Sequence, residues 1–246
     1  MGEIIAVLSG KGGTGKTSLC AGLAVWLALQ GKRILCVDCD VGLRNLDISL
    51  GMADCAGLSF LDVCRDGAPL EDAPRHPTLP NLRFLTAPMH CQPEDIDPEG
   101  FSRFLRSARD GFDYLFLDAP AGVDAGFRLV SAPADRVILV TLPSPAAIRD
   151  ACRVGELLEL AGKRSVRLVV NRVDKSMLGS LRLTIDDVMD TAGLPLLGIV
   201  MENPQITLAA AFGKSLPEYA PRCAAAKALR RIASRLQGIP EPMKLR

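Results

Sequence analysis

The sequence predicts an α/β fold with a mostly parallel central sheet and helices on both faces, and three observations lead to it. Short apolar, β-rich runs alternate along the chain with stretches of helical pattern, as parallel strands and their crossover helices require. The first run leads directly into a glycine-rich turn, SGKGGTGKTS at residues 9–18, and then into a helical stretch. The 246 residues are 48% hydrophobic, enough to fill the core of one large domain, so residues 1–246 are read as a single unit.

The elements follow in order. EIIAVLS (3–9) is the first strand, and TSLCAGLAVWLALQG is a helix that starts at the turn threonine and stops at Gly31. RILCVDC (33–39) is the second strand, LRFLTA (82–87) the third and DYLFLDA (113–119) the fourth. RVILVTL (136–142), VRLVVN (166–171) and LLGIVM (196–201) complete the set. Further helices are expected over 58–65, 98–109, 145–161, 185–192 and 224–237. DGAPLEDAPRHPTLPN (66–81) is rich in proline and charge and reads as a surface loop. No internal repeat or low-complexity tract interrupts the pattern.

Composition narrows the function. Lys plus Arg total 29 against 28 for Asp plus Glu, so there is no global bias toward nucleic acid or acidic lipid, and no nucleic acid is predicted as a partner. The amino terminus lacks the pattern of a signal peptide, and no apolar run is long enough to cross a bilayer, which leads us to expect a cytoplasmic protein. Eight scattered cysteines do not resemble a disulfide framework. Cys36 and Cys39 form a C-x-x-C inside a strand, where alternation sends the two sulfurs to opposite faces and keeps them from sharing an ion.

The chemistry concentrates at Gly10 to Thr17, which satisfies G-x-x-x-x-G-K-[ST]. In such a loop, successive backbone N–H groups curl around a β-phosphate and the following helix adds its positive end. Gly10, Gly12, Gly13 and Gly15 allow the wrapping, Lys16 reaches the β- and γ-phosphates, and the Thr17 hydroxyl ligates Mg²⁺. Strand, loop and helix in this order make the expected fold that of a P-loop NTPase.

Such a site also needs carboxylates at neighbouring strand ends. Asp118 ends DYLFLD and is placed to act on the metal through water. Asp38 and Asp40 stand two residues apart at another strand end, on one side if the strand continues. Asp40 is the better candidate to position an attacking water. Asp38 is a second candidate for the metal, and either carboxylate could instead be simply solvated.

KGGTGKT from Lys11, DCDVGLRNLD from Asp38 and LDAPAGVDAG from Leu117 together resemble the MinD branch of the MinD/ParA deviant Walker A ATPases, from Ile4 to about residue 237. The resemblance implies an ATP-dependent homodimer with slow, partner-activated hydrolysis, working in division-site placement. An alternative is a flagellar, secretion or cargo-positioning relative; an amidoligase or iron–sulfur carrier is disfavoured. It further implies that Lys11 is the signature lysine reaching the partner subunit's phosphates. Gly12, Gly13, Thr14, Gly15, Lys16, Thr17 and Ser18 would hold the triphosphate of ATP, and Asn171 would contact adenine, with residues 201–204 closing over the base. Gly122 and Asp124 fall where a switch segment would respond to the γ-phosphate, and an activator or cargo protein would dock on the dimer.

That branch characteristically ends in an amphipathic helix that folds onto the membrane. Residues 238–246 hold two prolines and form only a short stub, so direct membrane association is left open, as is peripheral residence at the inner face. Leu229, Ile232, Ala233 and Leu236 make one helical stripe beside several arginines, and they read better as a face packed on the sheet than as a membrane surface.

Overall fold

The structure, a computed structural model, describes residues 1–55, 57–89 and 91–243. All seven expected strands form: β1 (Glu3–Leu8), β2 (Ile34–Asp38), β3 (Leu82–Leu85), β4 (Tyr114–Asp118), β5 (Arg136–Thr141), β6 (Val166–Val173) and β7 (Leu196–Met201). They make one sheet in the order β3-β2-β4-β1-β5-β6-β7, with every pair parallel. Near-continuous burial along β1, β2 and β4 is what a strand covered on both faces requires.

Helices α1 (Lys16–Leu29), α2 (Leu46–Leu50), α3 (Phe60–Cys64), α4 (Pro98–Ala108), α5 (Ala125–Ser131) and α6 (Pro145–Leu160) lie in the first two thirds of the chain. They are followed by α7 (Lys175–Leu181), α8 (Ile185–Ala192), α9 (Gln205–Ala211), α10 (Leu216–Tyr219) and α11 (Ala224–Leu236). Two hydrophobic clusters sandwich the sheet. One joins α4, α5, α6 and α8 to one face, and the other joins α1, α2 and α11 to the opposite face. Cys36 belongs to the second cluster and Cys39 to the first, so the two sulfurs lie on opposite faces of β2.

The apolar stripe of α11 packs on the sheet side. Leu229, Ile232, Ala233 and Leu236 are all buried, and Leu229 leaves Gly22 of α1 no room for a side chain. Residues 239–243 form no helix, and Arg235 draws them back by donating to the Glu241 and Pro242 carbonyls. Residues 244–246 of the expected stub lie outside the described residues. Among the described residues, no helix is long and apolar enough to cross a membrane.

Two expectations need adjustment. The 66–81 stretch is not wholly a surface loop, because it contains a short turn of 3-10 helix at Leu70–Asp72 and buries His76 against the Leu50 carbonyl at 2.8 Å. The short helices α2, α5, α7, α9 and α10 were not expected. Each has seven residues or fewer, too short to display helical periodicity in the sequence.

Candidate functional site: a phosphate loop and its carboxylates

The turn after β1 brings residues 9–18 to the carboxyl edge of the sheet, where α1 begins at Lys16. Gly13 and Gly15 have φ of 74° and 86°, a left-handed region that side chains resist, and at Gly10 an added Cβ would lie 2.7 Å from the Asp150 Cβ of α6. Outward-facing carbonyls of the loop are held by donors from its own first residue, from α1 and from β6. Ser9 Oγ donates to the Lys11 carbonyl at 2.7 Å, Asn171 Nδ2 to Thr14 at 2.8 Å, Arg172 Nη1 to Gly13 at 3.3 Å and the Leu19 amide to Gly15 at 3.0 Å. Among the described residues, the amides from Gly12 to Thr17 have no acceptor of their own. A ring of unused N–H groups at a helix start is an anion site.

The carboxylates stand beside it. Asp38 and Asp118 end adjacent strands in register, and both are buried. Each oxygen of Asp38 accepts a backbone N–H, from Asp40 at 2.9 Å and from Leu46 at 3.2 Å. Burial pushes the Asp38 carboxyl up to about 6, although those two amides oppose the shift. Asp40 is half-buried, and its Oδ1 accepts from the Gly42 and Leu43 amides at 3.2 and 3.3 Å.

Asp118 is pushed up to about 7, first by burial and then by the Asp38 charge, against the Thr17 hydroxyl and the Lys16 ammonium. Its Oδ1 is buried and has no hydrogen-bond partner among the described residues. An orphaned carboxylate oxygen beside a threonine hydroxyl is a hard-oxygen pair, and the residues present therefore fit Mg²⁺.

Lys16 is buried, whereas Lys11 is half-buried and makes no side-chain hydrogen bond or ion pair among the described residues. The Gly122 amide donates to the Ser9 carbonyl at 3.2 Å, which ties the loop after β4 to the start of the phosphate loop. Asp124 caps α5 by position but accepts no capping hydrogen bond.

The expected loop residues, strand-end carboxylates and Asn171 come together at the carboxyl edge of the sheet. Asn171, expected at the base, also donates its Nδ2 to the Thr14 carbonyl of the phosphate loop. One participant was missed, Arg172 beside Asn171, together with its pairing at 2.7 Å to Glu202, a residue of the expected 201–204 segment. The only sequence signal for the pairing was the position of the two residues at the ends of β6 and β7.

A parallel sheet with a phosphate loop at its carboxyl edge and two buried strand-end carboxylates defines a nucleotide-hydrolysing P-loop protein. The CobQ/CobB/MinD/ParA nucleotide binding domain matches residues 5–216, and the chain belongs to this family, in its MinD branch. It is 37% identical over 240 residues to the septum site-determining protein MinD of Synechocystis, covering 97% of this chain and 90% of that one. MinD in the Aquifex aeolicus MinC:MinD cell division complex superposes with a TM-score of 0.91 at 33% identity, over 98% of each chain. Pyrococcus horikoshii MinD complexed with Mg-ADP superposes at 0.84 with 29% identity, over 96% of each chain.

Proposed function

We propose that this protein is an ATP-driven dimerisation switch that places the division site. The observation that carries the reading is the contrast between the two loop lysines. Lys16 is buried near Asp118, but Lys11 meets no anion among the described residues. A cation left over in one subunit is free to meet a triphosphate bound by a second. Nucleotide would then stabilise the dimer, and the dimer would stabilise charge in the transition state.

In this reading, the amides from Gly12 to Ser18 and the Lys16 ammonium bind the phosphates of ATP. Thr17 and, through water, Asp118 would hold Mg²⁺, which would supply positive charge to the phosphates. Asp40 orients the attacking water. Asp38 contributes by fixing the backbone that carries Asp40, since it accepts the Asp40 amide directly. Gly122 links the post-β4 segment to the loop, so the presence of a γ-phosphate can change the surface offered to a partner.

Septum-site determination in the relatives and the Aquifex complex with MinC support a division role and a protein partner. The protein would act from the cytoplasm, with any membrane contact borrowed from a partner or from segments other than α11.

The test is size-exclusion chromatography with light scattering in ADP, ATP and a non-hydrolysable analogue. The wild type should dimerise only with the triphosphates. A wild-type protein that stays monomeric in saturating ATP and Mg²⁺ would overturn the switch.

A further inference from the structure

Arg172 occupies a left-handed backbone conformation, φ 53°, which costs a non-glycine residue energy and persists only where its surroundings enforce it. The strand is irregular at the same place. Val170 pairs with Ile199 and Val173 with Met201, so β6 carries one residue more than β7 across this step. In a regular strand, consecutive side chains point to opposite faces. Here, Asn171 and Arg172 both reach the phosphate loop, donating to the adjacent carbonyls of Thr14 and Gly13.

Those two carbonyls matter because of what lies on their other side. A phosphate loop works by turning N–H groups inward, which obliges its carbonyls to turn outward and find donors. Nε of the Arg172 guanidinium is held by Glu202 Oε2 at 2.7 Å, and the Glu202 amide is itself fixed on the Val173 carbonyl at 3.0 Å. The planar fork thus spans a carboxylate on one side and the loop on the other, an arrangement a lysine cannot copy.

We infer that Arg172, braced by Glu202, is a positioning residue that presets the phosphate loop for the triphosphate, with Asn171 as its companion on the next carbonyl. This rests on the nucleotide-binding reading above and adds a residue to it. The left-handed backbone is the cost of turning two successive side chains toward one loop.

The experiment is titration calorimetry of the full chain with Mg²⁺-ATP and with Mg²⁺-tripolyphosphate, for wild type, Arg172→Gly and Arg172→Lys, together with the melting temperature of each nucleotide-free protein. Arg172→Gly removes the side chain and relieves the backbone. It should melt at or above the wild-type temperature while binding both ligands about tenfold more weakly, a loss of the size expected for one charge-assisted hydrogen bond. Arg172→Lys should not restore the affinity.

Wild-type affinity for tripolyphosphate in Arg172→Gly would overturn the inference. So would a loss confined to ATP, because it would place Arg172 at the nucleoside. Wild-type protein that binds tripolyphosphate but not ATP would sink the ATP switch, and the variants' tripolyphosphate affinities would still decide the role of Arg172.

Discussion

Asp38 and Asp118 are register partners on adjacent parallel strands, both buried, and the Asp38 charge opposes the ionisation of Asp118. Asp38 has backbone amides to compensate it, whereas Asp118 keeps one oxygen with no partner. A buried acid left short of hydrogen bonds is a cost to the fold that a bound cation would remove. Asp118→Asn should therefore raise the stability of the nucleotide-free protein by about 1–2 kcal/mol in urea unfolding, while Mg²⁺-dependent ATP hydrolysis is lost. A destabilised variant would mean that Asp118 is satisfied without the metal.

The two lysines should separate cleanly. Lys16→Ala is expected to abolish nucleotide binding, because it removes the buried ammonium beside the phosphates. Lys11→Ala should bind ATP with nearly wild-type affinity in calorimetry but fail to dimerise or hydrolyse it. A Lys11→Ala protein that still dimerises with ATP would remove the reach into the second subunit.

Asp40→Ala should keep the ATP-bound dimer and lose turnover by roughly 10²–10⁴-fold, the usual contribution of a positioned acid or base. Asp38→Asn should also slow turnover, because an amide cannot accept on both sides and the Asp40 loop loses an anchor. Single-turnover assays in preformed dimers distinguish these losses from weaker binding. Wild-type turnover in Asp40→Ala would transfer the water-positioning role to another group.

Thiol chemistry reports on the sheet. Cys20, Cys36 and Cys39 are buried in the two core clusters, and burial holds their thiols well above the usual range, while Cys64 is pushed up to about 11. At pH 8, a disulfide reagent should leave the three buried thiols untouched until the protein is unfolded, with Cys64 the slowest of the partly exposed group. Rapid native modification of Cys36 would show that β2 opens.

Ile232 distinguishes a packed face from a membrane face. It is fully buried between α11 and the sheet, and its side chain fills the space that a Cβ on Gly198 would need. Ile232→Ala should cost about 2–4 kcal/mol in solution without lipid. A stripe reserved for lipid would leave soluble stability unchanged.

Much of this protein was determined by sequence alone. Each of the seven strands is an apolar run that local composition marks; α4, α6, α8 and α11 are long enough for a one-sided stripe to repeat, and α1 is an apolar run bounded by the phosphate loop and Gly31. The loop motif prescribed its own chemistry, and strand ends placed Asp38, Asp40 and Asp118 near it. What the sequence could not show depended on contacts between distant segments. The helix α2 is only five residues long, and it forms where Asp38 accepts the Leu46 amide and Leu46 and Leu50 enter the core. The direction of Asn171 was decided by the bulge in β6, whose register only β7 can set. An arginine does not announce a left-handed backbone, since that conformation is intrinsically unfavourable to it and is paid for by Gly13 and Glu202, residues remote in sequence that only the folded sheet brings within reach.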